Sequence, residues 1–140
     1  VGDSSATRLY KDGIGAAYRT AKVAATTAIL HGIAEEDFKE HYWPVCKAIE
    51  KDNRYGKFIF FAINIIQKIK ITKRAFFEMT RQEQEEGREK KPMSTVLWDM
   101  FTGSATYREI FALTLTPAFL LNFNKNIITS IFQKRQNKDT

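Results

Sequence analysis

The 140-residue chain is 44 % hydrophobic, 13 % aromatic and 27 % charged, which suits one cored domain and excludes a disordered polymer. Its net charge of +6 permits an acidic partner or an anionic membrane surface without requiring either. The single cysteine, Cys46, excludes an internal disulfide framework and fits a reducing compartment; the expected location is the cytoplasm, with a peripheral membrane position as the alternative.

The chain opens on Val1-Gly2-Asp3-Ser4-Ser5, which reads as the end of a strand passing into a loop. Asp12 is suited to cap a helix, because its carboxylate can accept from the free N–H groups of a first turn. Gly13 and Gly15 then fall at the first and third helical positions, where glycine costs helix stability and must serve another purpose. Without Cβ atoms, the N–H groups and the positive end of the helix dipole can approach an anion or a polarised carbonyl. Alanines at 16, 17, 21, 24, 25 and 28, with Ile14, Val23 and Ile29 among them, make a slim helix able to pack closely on another layer. A plain loop followed by a buried helix is the simpler alternative for Gly-x-Gly alone.

Taken together, Gly2-Asp3 after an apolar residue, a nine-residue loop, Gly13-Ile14-Gly15 and a small-residue helix resemble the second FAD-binding motif of flavoprotein monooxygenases, geranylgeranyl reductases and flavin-dependent halogenases. The resemblance covers residues 1–32. It implies FAD as cofactor, with Asp3 on a ribityl hydroxyl and the Gly13, Ile14 and Gly15 backbone approaching the pyrophosphate or flavin. Gly2 and Asp12 complete the expected cofactor-binding set. In such enzymes this motif lies far from the N-terminus, and no Gly-x-Gly-x-x-Gly follows an apolar strand here. The expectation is therefore the C-terminal part of a larger α/β FAD-dependent oxidoreductase, with residues 1–32 ending its FAD-binding domain and 33–140 forming a helical C-terminal domain. Its first partner would be the FAD-binding N-terminal region of the same protein.

His31-Gly32 closes the alanine helix, and Glu35, Glu36 and Asp37 place three acids in the first turn of the next, where the dipole favours them. Phe38, Tyr42, Val45, Cys46 and Ile49 give that helix an apolar face; Pro44 interrupts it, predicting either a kink near Tyr42-Trp43 or two shorter helices. His41 and Cys46 are metal-ligand and nucleophile types, but five residues apart on one helix and without a second cysteine they read as a surface or capping histidine and a core cysteine. Phe58–Ile66 is the most apolar run. Nine residues reach only about 14 Å as a helix, far short of a bilayer core of about 30 Å. A buried helix fits the continuing spacing of Ile65, Ile66, Ile69, Phe76 and Phe77, with a strand as the alternative. Lysines and arginines between these residues form a polar face better than a nucleic-acid patch.

From Glu78 to Lys91 nine of fourteen residues are charged, which reads as a solvated helix end and the internal break of the chain. Ser94 or Thr95 is expected to cap a short helix that Gly103 ends, Thr106 and Glu109 have capping-box spacing for another, and Pro117 opens the last. In that last helix Leu120, Phe123, Ile127 and Ile131 form an apolar stripe widened by Leu121, Ile128 and Phe132. The stripe is expected either to be core or to border a lipophilic substrate or a membrane, since basic residues follow it.

The fold expected from these signals is mainly α, about six helices with little or no sheet of its own. No pair of titratable residues has a spacing that nominates a catalytic acid or base, and the chain alone is expected to be inactive. The competing class is a non-enzymatic helical interaction module, with membrane-surface association as one form of it.

Overall fold

The computed structural model describes residues 6–9, 13–85 and 91–136, and among them the chain is helical with no strand. The elements are α1 (Gly13–Leu30), α2 (Glu35–Asp37), a π turn (Phe38–Tyr42), α3 (Trp43–Lys68), α4 (Lys70–Glu85), α5 (Pro92–Thr102), α6 (Tyr107–Thr114) and α7 (Pro117–Gln136). Since α2, the π turn and α3 follow without a break, the described residues form six rods, the mainly α architecture that the hydrophobic periodicity indicates.

Several ends are set by local chemistry. Gly32 takes a positive φ of 135°, and the Thr27 carbonyl accepts from both His31 N–H at 2.9 Å and Gly32 N–H at 3.0 Å, which closes α1. Gly103, at φ 72°, ends α5 by donating its N–H to the Asp99 carbonyl at 2.9 Å. At α6 the capping box forms: Glu109 N–H donates to Thr106 Oγ1 at 3.2 Å, and the Glu109 carboxylate accepts from Thr106 N–H at 2.8 Å. Those bonds, the backbone N–H of Thr106 first and its hydroxyl second, hold the Glu109 carboxyl below the usual carboxylate range.

Pro44 neither splits the helix nor ends it. It has no N–H to offer the Glu40 carbonyl, and the rod accommodates this by widening: Trp43 N–H reaches back five residues to the Phe38 carbonyl. α3 then runs on to Lys68 and packs on the π turn, α1, α4 and α6.

The larger core gathers Ile59 of α3, Met79 of α4, Met93, Val96 and Met100 of α5, Tyr107 and Ile110 of α6 and Phe119 of α7. The smaller one joins Ala16 and Ala24 of α1 to Ala6, Tyr42, Cys46 and Ile49. The Phe58–Ile66 run is helical, but only one of its faces is buried. Ile59 enters the core with Phe60 and Ile63 beside it, while Phe58, Phe61 and Ile65 are exposed. Apolar residues occupy the whole circumference there, and the neighbouring helices cover only one side.

One further expectation is corrected, and the α7 stripe is shown to be only partly core. The 78–91 stretch is not uniformly solvated: Glu83 is buried, and its carboxylate accepts from Met93 N–H at 2.9 Å, Ser94 N–H at 2.8 Å and the Ser94 hydroxyl at 2.9 Å. This carboxylate from α4, rather than Ser94 or Thr95, supplies the N-terminal cap of α5, which begins at Pro92. Among the described side chains of α7 the buried ones are Phe119, Asn126 and Ser130, whereas Leu120, Leu121, Ile128, Ile131 and Phe132 are exposed. Gln82 of α4 donates to Asn126 Oδ1 at 3.1 Å, and Asn126 donates to the Asn122 carbonyl at 2.9 Å. Satisfying this buried amide turns the helix so that part of its apolar stripe faces outward. Among the described residues no helix is long and apolar enough to cross a membrane.

Candidate functional site

Of the residues expected at a cofactor, Gly2, Asp3 and Asp12 lie outside the described residues. Gly13, Ile14 and Gly15 are the first described residues of α1. The first N–H groups of a helix have no partner inside it and lie at the positive end of its dipole. Ile14 projects away from the protein with 90 % of its surface exposed.

What holds α1 in place is a face of small residues. Ala16, Thr20, Ala24 and Thr27 are buried, and α1 packs on the π turn and α3. The Thr20 hydroxyl donates to the Ala16 carbonyl at 2.9 Å and that of Thr27 to the Val23 carbonyl at 2.9 Å, so both polar groups are satisfied within the helix. The opposite side carries Ile14, Tyr18 and Ile29, all exposed, followed by exposed Leu30 and Ile33.

The segment that leads into α1 is clamped to the helical body. Arg8 is buried; it donates Nη1 to the Gly103 carbonyl at 3.2 Å and Nη2 to the Ala105 carbonyl at 2.9 Å. Its guanidinium lies 4.3 Å from the centre of the Tyr107 ring and 3.8 Å from the Asp52 carboxylate. Asp52 also caps α6, accepting from Tyr107 N–H and Arg108 N–H, both at 2.9 Å. Next to it, Asn53 donates to the Thr7 carbonyl at 2.7 Å and accepts from Leu9 N–H at 3.3 Å. The path of residues 7–9 is therefore fixed by two neighbouring side chains of α3 and by the α5–α6 connection. Sequence reading singled out none of Arg8, Asp52 and Asn53, because their partners lie 44 to 97 positions away and no local pattern marks them. Aspartate and asparagine inside a helix that is otherwise apolar on one face were the available signal.

A cleft of about 300 Å³ beside this clamp is bordered by Arg8 and Arg19 and by Asp52 and Glu109. Two cations and two carboxylates balance, so it offers no net attraction to an anion. Cys46 is buried in the smaller core, and His41 stacks on His31 with ring centres 3.7 Å apart. Among the described residues no three His, Cys, Asp or Glu side chains converge in a way that could hold a metal ion.

No protein-family model matches the chain, and comparison with curated proteins and with solved structures found no match to either.

Proposed function

We propose that this chain is the C-terminal, mainly helical part of an FAD-dependent oxidoreductase and that α1 presents its glycine-opened N-terminus to the cofactor. The observation that carries the reading is the two-sidedness of α1. Its first turn offers backbone N–H groups with Ile14 as the one projecting side chain between two glycines, and its outer face leaves Ile14, Tyr18 and Ile29 exposed, as a helix covered by a further layer would. FAD, when bound, would supply hydride or electron transfer. The chain's own part is binding: Asp3 on a ribityl hydroxyl, and Gly13 to Gly15, capped by Asp12, toward the pyrophosphate. The backbone of the first turn fits an anionic group, and the clamp at Arg8 and Asn53 supports the reading by fixing residues 7–9, which lie between Asp3 and α1.

The reading frame upstream of Val1 tests this directly: a strand followed by Gly-x-Gly-x-x-Gly is expected, and its absence would overturn the proposal. In the intact enzyme Asp3→Ala should weaken FAD binding by about 1.5–3 kcal/mol, roughly ten- to a hundredfold or slightly more, through loss of a charge-assisted hydrogen bond. Unchanged flavin retention would remove the main support for the assignment.

The second reading, a non-enzymatic helical interaction module with a lipophilic or membrane-surface partner, is favoured by the exposed aromatic and aliphatic side chains of α3 and α7. A cytoplasmic or membrane-peripheral position belongs to either proposal.

A further inference from the structure

Two compartments on one side of α3 share a wall. The outer one, about 430 Å³, lies inside the α3–α4 elbow, where Gln67, Lys73 and Phe77 border it. The inner one, about 240 Å³, runs between α3, α5, α6 and α7 past Ala62, Met100 and Leu120. Ile63, Ile66 and Phe76 line both, so the two adjoin along these side chains. The elbow is held open by local chemistry: Ile69 takes extended backbone at φ −96° and ψ 114°, and the Thr72 hydroxyl donates to the Ile66 and Ile69 carbonyls, each at 2.9 Å.

The polarity of the two compartments differs. The inner wall is hydrocarbon and thioether except for Thr114, whose hydroxyl is donated to the Phe111 carbonyl at 2.7 Å. An extended peptide would bring backbone groups that this wall cannot satisfy, and a small polar molecule would lose its hydration for nothing. Among the described residues the outer compartment offers one charge, the Lys73 ammonium, which is exposed, and no carboxylate pairs with it. No acidic side chain among the described residues lines either compartment, so a cationic head is disfavoured. The volumes fall near the range of small-molecule sites, about 300–1,000 Å³.

We infer that the joined cleft binds a single-chain anionic amphiphile, a long-chain carboxylate, with its tail between Ile63 and Met100 and its head at Lys73. The tail buries apolar surface against a preformed hydrocarbon wall, and the head stays at the open mouth where water and an ammonium solvate it. This inference does not rest on the flavin reading, and its test contains no flavin.

The test uses the full chain and a fluorescent polyene fatty acid, displaced either by palmitate or by methyl palmitate below their aggregation limits. Saturable binding of one fatty acid per chain is expected. Lys73→Glu should weaken palmitate by about tenfold or more, since attraction at the mouth becomes repulsion, while leaving the uncharged ester unchanged. Ala62→Phe, which narrows the inner compartment, should weaken both ligands together. Lys73 is at the surface, so its substitution leaves the fold intact and decides the question even if the Ala62 variant fails to fold. Equal loss of acid and ester in the Lys73 variant would overturn the head-group assignment. Absence of saturable binding, binding to vesicles only, or concentration-dependent dimerisation that palmitate does not displace would overturn the site.

Discussion

Around Tyr107 the chain closes on itself with large side chains and borrowed carboxylates, whereas around Ala16 the buried face that α1 brings to Tyr42, Cys46 and Ile49 is alanine and threonine, and the far side of α1 is left bare. In the first region two helix starts are secured from a distance: Glu83 of α4 caps α5, and Asp52 of α3 caps α6. In the second, the hydroxyls of Thr20 and Thr27 turn back on their own helix and hold nothing else. Burial of large apolar groups contributes about 25 cal/mol per Å², so the Tyr107 region carries the stability and the α1 layer carries little. A thin layer beside a self-sufficient core is the arrangement expected where a helix is completed by another part of a protein.

Removing the centre of the large core should have the greatest effect. The Tyr107 ring meets Phe60 edge-on, lies beside the Arg8 guanidinium and approaches α3 so closely that a Cβ on Gly56 would come within 2.7 Å of a ring carbon. Tyr107→Ala should cost about 3–5 kcal/mol, read as a fall in urea midpoint with an unchanged slope. A loss near 1 kcal/mol would mean that the two regions share stability evenly and would break the contrast.

Glu83→Ala should follow at about 3 kcal/mol, because three donors at the start of α5 lose a charged acceptor in a buried place. Thermal unfolding measures it, with Glu83→Gln falling between the variant and the wild type. A change under about 0.5 kcal/mol would return Glu83 to the solvated role that its charged neighbours suggest.

Thr106→Ala removes the local cap of α6 and should cost about 1 kcal/mol, less than the loss at Glu83 because the site is exposed and Asp52 still caps the same helix end. The same cap has a pH signature. The Glu109 carboxyl titrates lower in the folded chain than in the unfolded one, so its contribution is complete above the unfolded carboxylate range, near pH 4.3, and disappears as pH falls through the lower folded value. The stability difference between wild type and Glu109→Gln should therefore be constant above about pH 5 and shrink in acid. A difference that grows in acid would reverse the sign and exclude this cap as its source.

What was legible in the sequence and what was not divide along the same line. Gly32, Gly103, the Thr106–Glu109 box and Pro117 mark helix ends by chemistry within a few residues, and the structure places those ends where the signals are. Pro44 signalled an interruption but not its form, because a widened turn relieves the missing donor as well as a kink does. The burial of Glu83, the Arg8–Asp52–Asn53 clamp and the rotation of α7 onto Asn126 depend on partners far along the chain, and hydrophobic spacing carries no information about a buried carboxylate or amide. The two compartments along α3 arise from how five helices meet, which no single segment encodes.

The smallest effect is the one that bears most on function. Ile14 and Ile29 occupy the bare side of α1, 90 % and 79 % exposed, so Ile14→Ser and Ile29→Ser remove almost no buried surface from the 140-residue chain. Each should change its stability by no more than about 0.5 kcal/mol. If α1 is covered by a further layer of a flavoprotein, the same substitutions in the intact enzyme should each cost about 2 kcal/mol, the scale of burying one such side chain, and should loosen FAD along with the helix start. The informative quantity is the difference between the two contexts, measured by thermal unfolding of each. Neutral behaviour in both would leave the outer face of α1 as plain surface and would count against its role in a cofactor domain; a loss in the isolated chain as well would show that α1 is closed by the helices already present and would end the comparison between the two regions.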